Sequence, residues 1–514
     1  MGRKKNQVGL NELCWNLTTE LQNQVIKTLF EGDDSPYSME ERGFLGLIYS
    51  GNGQRRRSLF LHRLVKQEPD WVYNGNNGLS FSPKYFSRAL DEASAATPGA
   101  GIIIVHSHPF PTKSINYPPK PSTPDLKHEV NLLFYLGKAL SKGSPLASGI
   151  VTPNGAWRVR EYRWNDSSNY HSQLHGDREI RRFTYEDALI TRIVSADNLK
   201  VVRSRSSKNK KIDIYSHDST IRLWGEEGQA LLSTVRLGIA GLGGLGSILV
   251  EFLARLGVGE LVLVDFDVVE RENMNRLMGA KSSDVGKPKV KYVKRIAREA
   301  ATSKKFVVVV FRGSAAEKEG LDILLDCDLI MNAADSAFAR QVLDHIAYSY
   351  EIPVIDGGTI LIPHDSVEKT RGKSQVSVAG PGFPCLECSG VYTQEEATLA
   401  REDNSIFVQE SYIKASNAHE EIQVLRSPSV INYNGLVASI MVQRFLSLVL
   451  GFPPERKIGQ QRYYVEEGSL NWGPVDKCEL SCPKRNWTGL GDSHYTPTGI
   501  DMIWQKMRIS RKYR

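Results

Sequence analysis

The sequence predicts an α/β chain of two successive units: an α+β domain, then a doubly wound parallel sheet. Three observations carry this. From about Ile221 onward, apolar β-type runs alternate with helical stretches, the pattern of parallel βαβ units. Upstream, the runs FLGLIYSG, SLFLHRLV and GIIIVHSH are strand-like and lie close together. Between them, from about Asn165 to Asp218, the chain turns polar and holds the basic stretch RSRSSKNKK.

The chain has 514 residues, room for about two to four domains. It is 41% hydrophobic and 24% charged, as in ordinary globular proteins, and its net charge of +7 is mild for this length. Such a charge gives no reason to expect specific nucleic-acid binding. No run reaches the ~18 to 20 apolar residues expected of a membrane span. The start, MGRKKNQVGLNELCW, lacks the apolar core of a secretory signal, and Asn6 stands where a myristoylation signal wants Ser or Thr. A cytoplasmic chain, away from membranes, is expected.

Taken in order, residues 1–35 are expected to be helical, since Leu13, Leu17, Leu21, Val25 and Leu29 recur at four-residue spacing. Residues 36–165 form the α+β domain. Its three strand runs precede STPDLKHEVNLLFYLGKAL, a helix in which Ser122 and Asp125 stand in capping relation. ASGIVTPNGAWRVREYRW follows as strand, Asn154-Gly155 turn, strand. Residues 166–214 are expected to be a linker with some helix near YEDALITRIV. Residues 215–514 form the doubly wound unit. In it TVRLGIA, LVLVDFD, KFVVVVF, DLIMNAAD and PVIDGG are strands; SILVEFLARLG, VKYVKRIAREA and AFARQVLDHIAYSY are helices. PSVINYNGLVASIMVQRFLSLVLG is an apolar core helix.

In the first unit, GIIIVHSH ends on His106 and His108. Residues two apart on a strand face the same side, so the two imidazoles project together. On their own they fit either a loop after a core strand or a metal site that Asp125 could complete, leaving a fourth position for water. His106-Ser107-His108-Pro109 followed by Ser122-Thr123-Pro124-Asp125 resembles the JAMM (JAB/MPN) metalloprotease motif. The family also uses a Glu ahead of an apolar strand with a Gly. Glu40, three before Gly43, matches it, with Glu41 as the alternative. The gap between Pro109 and Ser122 is longer than the family's, and the excess is a Pro-rich insertion. The resemblance, over roughly residues 36–163, implies a catalytic zinc on His106, His108 and Asp125. It implies Glu40 as general base and acid, Ser122 as oxyanion donor, and cleavage after a ubiquitin-like carboxyl terminus.

In the second unit, Gly241, Gly243, Gly244 and Gly246 make a G-x-G-x-x-G turn between a strand and a helix, a setting in which backbone N–H groups cradle phosphates. Asp265 ends the next strand, where an acid can hold ribose hydroxyls. An NAD-binding dehydrogenase would share these features. The following DFDVVERENMNRLMGAKSSDVGKPKVK instead resembles the ThiF/MoeB group, the activating enzymes of ubiquitin-like proteins. The resemblance implies a Rossmann-like adenylation domain that uses ATP and magnesium. Asp265 would bind ribose, Asn273, Arg276 and Lys289 would surround the phosphates, and Asp335 would hold magnesium. Ser219 stands ahead of IRLWGEEGQALL where related sequences carry an Arg.

The cysteine pairs CLEC (Cys385, Cys388) and CELSC (Cys478, Cys482) can offer four thiolates to a structural zinc; reduced thiols or a redox pair are the alternatives. Cys14 and Cys327 are left, and neither stands where ubiquitin-type activating enzymes keep a thioester cysteine.

Together these readings predict a bifunctional enzyme of a bacterial ubiquitin-like modification system of the kind found near antiviral defence genes. It would adenylate a ubiquitin-like protein and cut after it. It would act as a homodimer through the adenylation domain, with a conjugating enzyme as a further partner. The alternatives are activation of a sulfur-carrier protein, with the metalloprotease maturing it, and a scaffold with one inactive half.

Overall fold

The computed structural model describes residues 12–30, 42–75, 78–108, 110–115, 117–121, 129, 132–133, 135–164, 183–195, 199–203, 213–362, 371–402, 428–452, 459–473 and 477–494. In chain order the N-terminal strands are β1 (Glu12–Thr18), β2 (Gly43–Asn52), β3 (Arg56–Leu64), β4 (Val72–Gly75), β5 (Gly78–Phe81), β6 (Gly101–Ser107), β7 (Leu146–Val151), β8 (Trp157–Trp164), β9 (Phe183–Asp187), β10 (Ile190–Val194) and β11 (Leu199–Arg203). β4 and β5 pair as a separate hairpin. The other nine form one sheet in the order β11-β10-β1-β3-β2-β6-β7-β8-β9.

β9 and β10 lie toward opposite margins of that sheet, yet only Ala188 and Leu189 join them. Three Cα steps reach at most roughly 11 Å, so the sheet must curl until its margins meet. The connector is held from both sides: Ala188 N donates to Val159 O of β8 and Leu189 N to Leu13 O of β1. The interior of the curl is apolar, with Trp15 and Trp157 5.6 Å apart among Leu13, Leu17, Leu59, Ile103 and Val105. The alternate residues Leu45, Leu47, Ile102 and Ile104 face outward under the helix Pro83–Ala95, which buries Tyr85, Ala89 and Ala93 on them. Ser82 caps that helix on Tyr85 N.

Two expectations are corrected here. The segment expected to be helical through residue 35 opens, in its described part, with β1; the helix is only Thr19–Phe30. A spacing of four is a multiple of two as well as close to 3.6, so Leu13 and Leu17 fit a strand equally, and Trp15 between them completes the inward row. Cys14 is therefore a strand residue. The stretch expected to be a linker supplies β9, β10 and β11, and YEDALITRIV is strand rather than helix. Its β-branched Thr191, Ile193 and Val194 suit a pleated surface, which the polar surroundings masked.

The second sheet runs β14 (Val307–Phe311), β13 (Glu260–Val264), β12 (Arg236–Ala240), β15 (Leu329–Asn332), β16 (Val354–Ile362), β17 (Arg371–Ala379), β18 (Gln461–Tyr464), β19 (Ser469–Trp472). The first five are parallel and the last three extend it antiparallel. Helices Gly244–Arg255, Lys289–Ala300 and Ile431–Leu450 cover one face; Lys318–Leu324 and Ala337–Ser349 cover the other. Ile431–Leu450 is, by length and composition, apolar enough to cross a bilayer. Here it packs on the sheet, with Val437, Ala438, Met441, Phe445 and Leu448 buried.

The two units meet through a buried polar joint at the N-terminal ends of the parallel strands. Asp328, ahead of β15, accepts from Arg56 at 3.0 Å, Arg203 at 2.7 Å and Arg236 N at 2.9 Å. Arg192 donates to Cys327 O and Tyr350 O, and Asp326 accepts the backbone N–H groups of Arg55 and Arg56. A C-terminal segment closes the seam: Asp492 accepts from Tyr350 Oη at 2.7 Å and Asn52 Nδ2 at 2.8 Å, and His62 Nδ1 donates to Thr488 O.

Candidate functional site

From β12 the chain winds to β13 and β14 on one side, whereas β15 leads to β16 on the other. Beyond the C-terminal ends of β12 and β15 lies the switch point, the crevice where open α/β sheets bind ligands. Gly241 follows β12 with φ +88, and a Cβ on it would sit 2.6 Å from Ala334 N in the loop after β15. A Cβ on Gly246 would overlap Gly241 O, and one on Gly244 would overlap Asn434 Nδ2. By contrast, a Cβ on Gly243 would meet nothing within 4 Å. Three glycines thus let backbone approach backbone or side chain, and the fourth borders open space. Helix Gly244–Arg255 starts there, its first N–H groups unused by the helix.

Asp265 is buried at the end of β13 and accepts from Leu242 N at 2.6 Å and Asp267 N at 2.7 Å, so it clamps the glycine turn. Burial pushes its carboxyl up; Lys289 opposes this and Asp267 adds to it, and the net shift is upward. Lys289 Nζ stands 2.7 Å from Asp267. Burial pulls Lys289 down, but the charges of Asp265 and Asp267 outweigh it and keep the ammonium above its ordinary value, with Asp335 adding to the same effect. Arg276 lies beside the turn: its Cγ would be 3.3 Å from a Cβ on Gly244, and its Nη1 donates to Glu272 O. Asn273 is buried and donates to Glu270. Asp335 is exposed after β15, and its carbonyl accepts from Arg340. The structure therefore gathers Gly241, Gly243, Gly244, Gly246, Asp265, Arg276, Lys289 and Asp335 around one crevice.

Sequence reasoning missed two residues. Asp356, inside β16, is a buried acceptor for Asn332 and Arg340, and Asn434 reaches the turn from a helix far along the chain. The acid of PVIDGG lies within a strand expected from the sequence; nothing local marks Asn434.

Cys385, Cys388, Cys478 and Cys482 bring their sulfurs within 4.8 Å of one another. A tetrahedral zinc with Zn–S near ~2.3 Å sets its sulfurs about 3.8 Å apart, the separation of Cys385 and Cys482. Cys385 N and Cys388 N donate to sulfurs of the set. Lys484 is buried 3.8 Å from Cys385 Sγ and 3.4 Å from Asp344, and also pairs with Glu387. This donor set fits structural zinc.

His106 lies near the end of β6 and His108 just beyond it, with ring centroids 5.3 Å apart. His106 is buried and His108 half-buried, and Ser107, on the other face, accepts from Arg42 N. Two imidazoles this close fit a metal. Glu40, Glu41, Ser122 and Asp125 lie outside the described residues. Both His106 and the glycine turn stand at strand ends directed away from the joint between the units.

This fold and crevice define a nucleotide-binding α/β domain of the doubly wound class. Residues 215–483 match the ThiF family, and the chain belongs to that family. A SAMP-activating enzyme E1 of Haloferax volcanii is 30% identical over 189 residues, 37% of this chain and 66% of that protein. The molybdopterin-synthase adenylyltransferase of Escherichia coli K12 is 27% identical over 213 residues, 41% of this chain and 81% of that one. Among solved structures, E. coli MccB with MccA-N7isoASN superposes with a TM-score of 0.42 at 16% identity, over 56% of this chain and 77% of that chain. That likeness is too distant to bear on activity.

Proposed function

We propose that the chain adenylates the C-terminal carboxylate of a small ubiquitin-like or sulfur-carrier protein. The observation that carries this is the switch-point crevice, in which the glycine turn opens at Gly243 and Asp265, which binds that turn, also lies beside a buried, charged Lys289. The partner's carboxylate attacks the α-phosphorus of ATP, the bond to the β-phosphate breaks, and pyrophosphate leaves with its electron pair. Arg276 and Lys289 offset the charge that builds on the phosphates, and Asn273 adds a donor. Asp265 keeps lone pairs beyond its two backbone bonds for ribose hydroxyls. Asp335 would hold magnesium, which neutralises phosphate charge. Named relatives act in the same sense: one activates SAMP, another is an adenylyltransferase of molybdopterin synthase. Incubation with ATP, magnesium and a ubiquitin-like or sulfur-carrier protein, followed by intact-mass analysis, tests the proposal. A partner heavier by one adenylate supports it; an unmodified partner in the presence of consumed ATP opposes it. Adding a sulfur donor separates thiocarboxylate formation from conjugation.

The histidine pair favours a second activity, a JAMM-type zinc (iso)peptidase. His106, His108 and Asp125 would hold the zinc, which supplies an activated water. Glu40 would accept that water's proton and return it to the leaving amine, and Ser122 would donate to the oxyanion. The reading supports a chain of an adenylation domain over residues 215–514 and a metalloprotease domain built on the nine-stranded sheet from β1 to β11, acting in the cytoplasm in a bacterial, antiviral-type conjugation module. A homodimer through the adenylation domain and a conjugating enzyme belong to the same proposal. Glu40→Gln should stop cleavage of a ubiquitin-like fusion while zinc stays bound; full cleavage by that variant, with loss in Glu41→Gln, would move the proton shuttle to Glu41.

A further inference from the structure

Behind His106 lies a buried charged cluster that neither activity uses. Glu129 is 4% exposed. Arg160 Nη2 donates to both of its oxygens, at 2.8 and 2.6 Å, Ser148 Oγ donates at 2.8 Å and Tyr162 Oη at 3.0 Å. Its Oε1 stands 3.7 Å from His106 Nδ1. The partners come from β6, β7 and β8, and the registers His106 opposite Ile150 and Ser148 opposite Arg160 fix them in one layer.

We propose that Glu129 is a positioning residue that orients His106 for metal binding, an inference that rests on the zinc-peptidase reading above. A carboxylate has about four lone-pair sites. Arg160, Ser148 and Tyr162 occupy most of them, so Glu129 is held rigidly and is poorly placed to serve as a ligand itself. What it offers His106 is a fixed negative charge facing Nδ1, 3.7 Å away. With the Nδ1 proton directed at Glu129, the ring presents Nε2 as the nitrogen with a lone pair for a metal. Outer carboxylates act in this way on metal-bound histidines generally. Burying an Arg–Glu pair seldom stabilises a fold better than apolar residues of the same volume, so stability alone gives little reason for this charge beneath a histidine.

The test uses the full-length chain. Zinc content is measured after dialysis against a series of chelator concentrations, and the cobalt-substituted protein is examined by visible absorption. The wild type should hold two zinc equivalents, one of which His106→Ala loses. Glu129→Ala should keep the cysteine-bound zinc and weaken the other by about 10- to 100-fold, with a shifted cobalt band at saturation. Glu129→Gln, which keeps shape but not charge, should fall between, and it decides the matter should the alanine variant not fold. Two equivalents of zinc with wild-type affinity and an unchanged cobalt band in the Glu129 variants would overturn the positioning role alone. A single equivalent in the wild type, unaffected by His106→Ala, would overturn the peptidase reading and this inference with it.

Discussion

Arg56 Nη1 and Asp328 Oδ1 stand 3.0 Å apart, both side chains sealed from solvent, and they belong to opposite halves of the chain. The pair is the centre of a joint that also includes Arg203, Arg192 and the Arg236 backbone. Separating the halves would break all of these buried contacts at once, so the two are expected to unfold together.

Asp328→Ala should therefore destabilise the whole chain by about 3 to 5 kcal/mol, since it strands buried guanidinium groups. The wild type also predicts its own acid sensitivity. Burial pushes the Asp328 carboxyl up, but Arg203 and Arg56 outweigh it and hold it at about 2. A depressed folded value gives stability that is present above the unfolded value near ~3.8 and is lost as pH falls through about 2. Denaturant unfolding of wild type and variant from pH 6 to pH 2 checks both. Two transitions that the variant leaves in place would show the joint to be weak.

Glu351 should act in the opposite direction. It is fully buried at φ +50 beside Tyr350, and among the described residues neither carboxylate oxygen has a hydrogen-bond partner. Burial pushes its carboxyl up to about 8, with Arg192 opposing. A raised folded value gives stability that is complete below the unfolded value and is lost as pH rises through about 8. Glu351→Gln should remove that decline, making the variant more stable than wild type at pH 8.5 by about 2 to 4 kcal/mol. Thermal unfolding at pH 5 and 8.5 measures it; parallel behaviour at both would contradict the assignment.

The cysteine set predicts a folding metal. Cys385→Ser should lose one zinc equivalent and lower the melting temperature of the whole chain, because a closed thiolate site contributes folding energy. His106→Ala should leave that transition in place. Equal thermal behaviour of the two variants would count against separate metal sites.

The sequence made the adenylation crevice legible because its parts are local: a glycine turn between strand and helix, and acids at strand ends. Asp265 directly follows β13 and Lys289 opens the helix Lys289–Ala300. What stayed hidden is what depends on long-range pairing. Leu13 and Leu17 fit two periodicities, and only β10 and β3, which flank β1, decide between them. Arg192 and Arg203 sat in a polar stretch that looked like a tether, and their role needs Cys327 O and Asp328, more than a hundred residues away. Glu129 appeared as one more charge on a helix, since Arg160 and Tyr162 reach it only after β8 has paired with β7.

Cys327→Ala should not change adenylation. Cys327 is 0% exposed, and burial pushes its thiol far above the ordinary range, so it is a small core side chain and no nucleophile. The variant should lose no more than about 1 kcal/mol. A partner adduct on the chain that thiol reductants release, and that Cys327→Ala abolishes, would show a thioester step at this residue.

The central claim, that the switch-point crevice adenylates a protein carboxylate, is tested most directly by partner-dependent ATP–pyrophosphate exchange. The wild type should exchange labelled pyrophosphate into ATP with magnesium and a ubiquitin-like or sulfur-carrier protein, and should stop when the partner's last residues are removed. Lys289→Ala and Asp335→Ala should lower exchange by at least about 100-fold, the scale of removing a charge aimed at the transition state, while the fold and the cysteine-bound zinc persist. Exchange that survives both variants, or that proceeds equally without the partner's carboxyl terminus, would contradict the account.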